Sequence, residues 1–152
     1  MIFVLKFSTL FNLKNNRLLK TLKNFKGLSF RQEIIYNSEF LKVINDSKAT
    51  RFSSSEKLLK SIKNIYWIMG GLPKKGDKFL LKKNDCKNIK LYIFGKNQNF
   101  FINQLKNKMT FQSFLNLKNL MVKIFLDIKN ENNFIKKTIL FSPASASFDS
   151  FR

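Results

Sequence analysis

The chain contains no histidine, one cysteine, two prolines and five glycines. Without histidine, a Ser-His-Asp triad cannot form, and the commonest general base and metal ligand are both missing. The single cysteine, Cys86, excludes an internal disulfide and any metal site built from cysteines alone. Zinc sites built on histidine or on paired cysteines are therefore excluded as well.

Acidic residues and long apolar runs are also scarce. There are 9 Asp and Glu against 29 Lys and Arg, and the first carboxylate is Glu33. No apolar run approaches the roughly 18 residues of a membrane-spanning helix. Lys6 interrupts the apolar start and no small-residue cleavage site follows, so a secretory signal is not predicted. We interpret residues 1–14 as a short basic extension, with an organelle transit peptide as the alternative, and expect no membrane partner and a cytoplasmic location.

The net charge of +20 has two interpretations. A basic surface releases counterions from phosphates, which would indicate a nucleic-acid partner. Lysine, asparagine, isoleucine and phenylalanine are all abundant together, however, as AT-rich coding sequence produces, and the lysines are scattered along the chain. We therefore favour the compositional explanation and do not expect a nucleic-acid partner. A small basic nucleic-acid-binding module, with phenylalanines on an exposed sheet face for stacking, is the alternative function.

The 152 residues are enough for one domain with its own core. Segments 31–37 and 39–45 predict a hairpin that turns at Asn37-Ser38. Hydroxyls and Glu56 in the run SSSEKLLKSIKN indicate a helix N-terminus. Apolar residues at helical spacing predict helices at 15–25, 53–64, 98–107 and 111–127. Continuous apolar runs predict strands buried on both faces at 65–69, 89–94 and 137–142.

Strands that alternate with helices predict an α/β fold, with a mostly parallel Rossmann-like sheet and helices on both faces. We expect one domain over residues 15–152. Ligands of such sheets bind beyond the carboxyl ends of the strands. Three segments would meet at that edge: NDSKAT (45–50), GGLPKKGDKF (70–79) and SPASASFDSF (142–151). Their lysines, hydroxyls and helix N-terminus predict a pocket for a carboxylate or a phosphate.

These segments, in this order, resemble the C-terminal domain of the Mur ligase family, in its D-glutamate-adding type. The stretch FKGLSFRQEIIY before NDSKAT is similar to the entry of that domain, and the resemblance covers about residues 23–152. Phe30 stands where the family has histidine, and Arg51 where it has asparagine. The family continues beyond the position of Arg152, so we expect a domain truncated at its C-terminus.

The resemblance implies a role for each matching residue. Thr50 and Lys74 would hold one D-glutamate carboxylate with Lys48 beside them, and the second lysine, Lys75, leaves the choice of pocket lysine open. Ser147 and Phe148 would flank the other carboxylate. Arg31 and Asp46 would approach the nucleotide.

The family activates a carboxylate as an acyl phosphate, which an amine then attacks, in peptidoglycan precursor synthesis. That chemistry needs a phosphate-binding loop, GxxxxGK[ST], and acidic Mg²⁺ ligands. The sequence contains no such loop. ATP and Mg²⁺ thus belong to the complete enzyme, and we expect the chain alone to bind neither and to be inactive. Its partners would be D-glutamate and the missing ligase domains on another chain; a split subunit, a truncated frame and a relic remain alternatives.

Overall fold

The structure is a computed structural model that describes residues 6, 10–11, 15–25, 27–131 and 134–146. Ser147, Phe148 and most of the predicted extension lie outside the described residues. One sheet contains the strands β1 (Glu33–Asn37), β2 (Leu41–Asn45), β3 (Ile65–Gly70), β4 (Ile89–Phe94), β5 (Phe111–Phe114) and β6 (Lys137–Phe141). The helices of the described part are α1 (Asn15–Asn24), α2 (Phe52–Ser61), α3 (Gln98–Leu105) and α4 (Leu117–Asn130), with a short 3-10 helix at Lys83–Cys86.

The predicted α/β fold is confirmed. The strand order is β1-β2-β6-β3-β4-β5, with β1 antiparallel to β2 and every other pair parallel. The hairpin of β1 and β2 turns through Ser38, whose hydroxyl accepts a hydrogen bond from the Leu41 amide at 3.1 Å. β3 is buried along its whole length because β6 and β4 flank it and helices cover both faces.

Two apolar layers fill the space between sheet and helices. On one face, Phe52 of α2 and Phe101 of α3 pack against Trp67 of β3, and all three are fully buried. On the other face, Leu120 and Ile124 of α4 cover β3 and β4. The phenylalanines of the described strands are buried or half-buried, and they are Phe94, Phe111, Phe114 and Phe141. The exposed phenylalanine face expected for a nucleic-acid module is thus not found in the described part of the sheet.

The predicted helix at 111–127 is wrong at its beginning. Residues Phe111–Phe114 form β5, which pairs parallel to β4, and the helix runs instead over Leu117–Asn130. Helical spacing of apolar residues continues through this stretch, but pairing with β4 overrides it. The Asn116 side chain accepts a hydrogen bond from the Asn119 amide at 2.9 Å and so begins the helix. No helix in the described part of the chain is long and apolar enough to cross a membrane.

The end of β3 requires a glycine. Gly70 has a φ of +152°, and a Cβ placed there would lie 2.2 Å from the Phe94 carbonyl oxygen. Gly76, by contrast, has a φ of +77° and no atom within 4 Å of such a Cβ. An alanine at either position would have an unfavourable positive φ, but only an alanine at Gly70 would also clash with another atom.

We predict that Gly70→Ala lowers the free energy of unfolding by about 3 kcal/mol or more, because the strand ends must move apart. The control Gly76→Ala meets only the left-handed backbone cost, about 1–2 kcal/mol. Urea unfolding of both variants checks the difference. Equal losses of stability would show that the contact with Phe94 does not constrain β3.

Candidate functional site

The carboxyl ends of the parallel strands meet at one edge, as predicted. The Asp46 amide donates to the Phe141 carbonyl at 2.8 Å, which joins the ends of β2 and β6. The Gly70 amide donates to the Pro143 carbonyl at 3.4 Å, which joins β3 to the segment after β6. These bonds bring the NDSKAT segment, the glycine segment and the start of the SPAS segment to one place.

A chain of buried hydrogen bonds centred on Ser142 organises this edge. The Ser142 hydroxyl donates to Asp46 Oδ2 at 3.1 Å, and Ser55 Oγ of α2 lies 2.6 Å from Ser142 Oγ. Because Ser142 gives its proton to the carboxylate, Ser55 is the donor in the second bond. The Trp67 indole donates to the Ser142 carbonyl at 2.8 Å. The side chains of Asp46, Ser55 and Ser142 are nearly inaccessible to solvent. This hydrogen-bond network therefore connects β2, β3, β6 and α2.

Asp46 is the buried carboxyl group of the site. Burial raises its pKa above the ordinary value, and hydrogen bonds from the Gln32 amide and from Ser142, together with the charge of Arg31, offset part of that rise. Gln32 donates to Oδ1 at 3.1 Å while Ser142 occupies Oδ2. Both carboxylate oxygens therefore already have donors from the protein itself.

The loop before β1 carries backbone strain. Phe30 and Gln32 have φ values of 63° and 52°, in the left-handed region that disfavours side chains. The Lys48 amide donates to the Phe30 carbonyl at 3.1 Å, and the Gln32 amide is held by Asp46. These bonds hold Arg31, which lies between the two strained residues, beside the NDSKAT segment. Strain of this kind clusters at ligand sites.

A cavity of about 350 Å³ opens beside Asp46. Arg31, Lys48 and Lys57 line it together with Ser53 and Ser54 of the first turn of α2. Three cations, a helix N-terminus and one buried carboxylate give it a positive potential. The cavity can hold an anion such as a phosphate or a carboxylate.

The glycine segment, residues 70–79, also approaches the N-terminus of α2. The Asp77 amide donates to the Lys74 carbonyl at 3.1 Å, which closes a turn over 74–77. The Asp77 carboxylate then accepts a hydrogen bond from the Phe52 amide at 2.9 Å. This bond caps α2, whose predicted start at the serines and Glu56 is wrong by about one residue. Thr50 thus lies two residues from an amide held by the turn that Lys74 begins.

The segment after β6 is joined to the glycine segment. The Ser145 hydroxyl donates to the Gly70 carbonyl at 2.5 Å, and Leu72 and Ala146 exchange backbone bonds of 2.9 and 3.0 Å. A Cβ at Gly71 would lie 2.6 Å from Ser145 Oγ, so only glycine allows this approach. Ser147, which follows Ala146 in the sequence, and Phe148 lie outside the described residues.

The structure brings together three of the seven predicted site residues in one cavity. Arg31, Asp46 and Lys48 line one cavity, whereas Thr50 and Lys74 lie outside its lining, near the N-terminus of α2. The ammonium groups of Lys48 and Lys74 and the Thr50 hydroxyl bond to no other described residue. Sequence reasoning missed six residues that line the cavity or hold the site in place. They are Ser53, Ser54, Ser55, Lys57, Asp77 and Ser142.

No family model matches the chain. Curated relatives nevertheless match nearly all of it. It is 36% identical over 144 residues to the UDP-N-acetylmuramoylalanine–D-glutamate ligase of a Wolbachia of Brugia malayi, a match that covers 94% of the chain and 28% of the relative. The ligases of that name from Wolbachia pipientis wMel and Francisella philomiragia are 36% and 32% identical over 91% and 99% of the chain. The chain is a homologue of the Mur ligases.

This Mur ligase homologue spans 27–36% of the length of those three relatives. The predicted resemblance to the C-terminal domain of these ligases is confirmed. The division of the chain into a short extension and one domain over residues 15–152 stays a prediction. The similarity reaches the segments that form the edge described above. The roles of individual site residues stay predictions.

We predict that Ser142→Ala lowers the free energy of unfolding by about 1–3 kcal/mol, because Asp46 Oδ2 and Ser55 Oγ would be left buried without this partner. Ser113→Ala is the control, since that hydroxyl lies exposed on β5. It should change stability by less than about 0.5 kcal/mol. Chemical denaturation measures both, and equal effects would contradict a central role for Ser142.

The raised pKa of Asp46 predicts a pH-dependent stability term. Between the unfolded-state pKa of about 3.9 and the higher folded-state pKa, the folded protein binds more protons, so Asp46 costs stability as pH rises through that window. Asp46→Asn removes the term and leaves the other carboxyl groups unchanged. The stability of the variant relative to the parent should therefore rise with pH from about 4 upward. Urea unfolding at several pH values tests this, and a constant difference would refute it.

Proposed function

We propose that the chain is the D-glutamate-binding domain of an ATP-dependent UDP-N-acetylmuramoylalanine–D-glutamate ligase, and that it works with the other ligase domains on a second chain. The observation that supports this most is the approach of the NDSKAT segment and the Lys74 turn at the N-terminus of α2. A cytoplasmic location and peptidoglycan precursor synthesis go with this role.

D-glutamate carries two carboxylates, so its site needs two regions rich in cations or in N–H donors. Lys48, Thr50 and Lys74 would form the first region, at the N-terminus of α2. Ser147 and Phe148 would form the second. The joining of Gly70 to Ser145 supports this arrangement, since it brings the segment before Ser147 to the same edge.

Lys74 fits the pocket better than Lys75. Lys74 opens the turn whose last residue, Asp77, is bonded to the Phe52 amide. Lys75 is at the corner of that turn, together with Gly76. The Lys74 backbone is thus joined through Asp77 to the Phe52 amide, two residues after Thr50.

The cavity beside Asp46 would face the nucleotide. Arg31 and Lys57 would attract phosphate groups, and Asp46 would hold the Gln32 amide and so fix the loop that carries Arg31. ATP and Mg²⁺, which activate the acyl group as a phosphate, would be held chiefly by the second chain. The contribution of this chain is to bind and orient the attacking amine.

Reconstitution tests this proposal. The chain is mixed with the Wolbachia pipientis wMel ligase from which the matching segment has been deleted, and ADP release is measured with ATP, Mg²⁺, UDP-N-acetylmuramoylalanine and D-glutamate. We expect D-glutamate-dependent turnover from the mixture and none from either component alone. Lys74→Ala should lower turnover about tenfold or more, the effect of losing one charged contact to substrate. Lys75→Ala should leave it largely intact.

The intact relative is the positive control for the assay. Turnover by the chain alone would contradict the expected inactivity. If the mixture stays inactive at saturating concentrations of the chain while the intact relative turns over, the proposed complementation is wrong. A larger loss with Lys75→Ala than with Lys74→Ala would reassign the pocket lysine.

A further inference from the structure

A larger cavity lies at the opposite edge of the sheet, where β4 and β5 begin. Its volume is about 880 Å³, compared with 350 Å³ beside Asp46. Lysines from two separate parts of the chain line it. Lys83 begins the 3-10 helix and Lys87 directly follows it, whereas Lys106 and Lys108 lie in the turn after α3. The Mur ligase role proposed above uses the other edge and does not involve this cavity.

The charge of this cavity is not balanced. None of the described carboxylates lines it, whereas two neighbouring cavities at the same edge both include Glu131, which is paired with Lys90. Lys83, Lys87 and Lys106 are exposed and form no ion pair with any described residue. The Asp85 carboxylate, which accepts a hydrogen bond from the Lys82 amide at 3.2 Å, lies next to Cys86 of the lining and offsets part of this charge. Four lysines against this one carboxylate leave an excess of positive charge, and a concave surface concentrates the resulting potential.

One of the four lysines is held in place by the protein. The Lys108 ammonium donates to the Phe79 carbonyl at 2.8 Å and lies 5.0 Å from the centre of the Phe79 ring. This contact orders the turn that also carries Lys106. The charges on that side of the cavity are thus partly preorganised, which lowers the entropic cost of binding.

The lining also includes apolar groups. Ile89 and Met109 are almost fully buried, and the Phe111 ring is half-buried at the start of β5. An aromatic ring beside lysines is the combination that holds unpaired bases and their phosphates.

Against the sequence-based expectation of no nucleic-acid partner, we propose that this cavity binds single-stranded nucleic acid. This function goes beyond the proposed ligase role and needs no exposed phenylalanine face, only the Phe111 ring within the cavity. A mononucleotide carries its charges at one end, whereas lysines from two elements suit phosphates distributed along a strand. A duplex would direct its phosphates outward and keep its bases from the apolar lining. A single strand can place its phosphates on the lysines and one base on Phe111.

The test is fluorescence anisotropy of a labelled oligouridine of about 12 nucleotides over a range of salt concentrations. The triple variant Lys83→Ala/Lys87→Ala/Lys106→Ala removes three charges from the cavity. The matched control, Lys20→Ala/Lys23→Ala/Lys118→Ala, removes three exposed charges from α1 and α4. Each lost phosphate contact lowers the slope of log affinity against log salt by about 0.7. The slope should therefore fall by about 2 in the cavity variant and stay unchanged in the control.

A second variant separates a nucleic acid from a simple polyanion. Phe111→Leu should weaken oligouridine binding about fivefold or more without changing the salt slope, because it removes a stacking surface and no charge. Inorganic polyphosphate should compete less well per phosphate than oligouridine does. Circular dichroism tests whether each variant is folded. If the triple variant is unfolded, the single variants Lys83→Ala and Lys106→Ala replace it, and each should lower the slope by about 0.7.

Three results would overturn the proposal. The first is the absence of binding by the parent chain at low salt. The second is an equal fall in slope for the cavity variant and the matched control, which would show that only net charge matters. The third is unchanged affinity of Phe111→Leu together with equal competition by polyphosphate, which would reduce the site to a nonselective polyanion surface.

Discussion

The hydrogen bonds of Ser142 hold the candidate site in place. Its amide donates to Ile68, its carbonyl accepts from Trp67, and its hydroxyl links Asp46 to Ser55. Because these groups are buried, each would be costly to leave without a partner. Asp46 in turn holds the Gln32 amide, and through it the loop with Arg31. The position of the cationic cavity thus depends on one serine that itself need not touch a ligand.

The scarcity of carboxylates shapes the surface around this frame. With 9 acidic residues against 29 Lys and Arg, most cations have no acidic partner. Both ion pairs among the described residues involve α4: Lys90 of β4 pairs with Glu131 at the C-terminal end of the helix, and Lys123 pairs with Asp127 within it. Asp46 and Asp77 are occupied by backbone amides near α2. Both ends of the sheet therefore present lysines to solvent, and a concave shape decides where that charge can select a ligand.

Backbone strain is concentrated at the same edge as the site. Of the four non-glycine residues with positive φ in the described part, Phe30 and Gln32 flank Arg31, and Ala144 lies after β6. The hydrogen bonds to Lys48 and Asp46 hold the first two in that conformation. Such strain persists only where surrounding contacts over-determine the backbone. It is consistent with an edge that is built for binding at some cost in stability.

The sequence alone determined the class of fold and the edge where the site lies. Strands buried on both faces produce continuous apolar runs, so local patterns predicted β3, β4 and β6. Parallel strands align their carboxyl ends, so the same patterns predicted that the NDSKAT segment and the glycine segment meet. Only the tertiary structure decided that residues 111–114 form a strand, since their helical spacing is overridden by pairing with β4. It also decided the cap of α2 and the Ser142 network. Asp77 is 25 residues from Phe52, and Ser142 is 96 residues from Asp46. No local pattern records which distant side chain satisfies a buried polar group, because that depends on how the completed sheet brings the segments together.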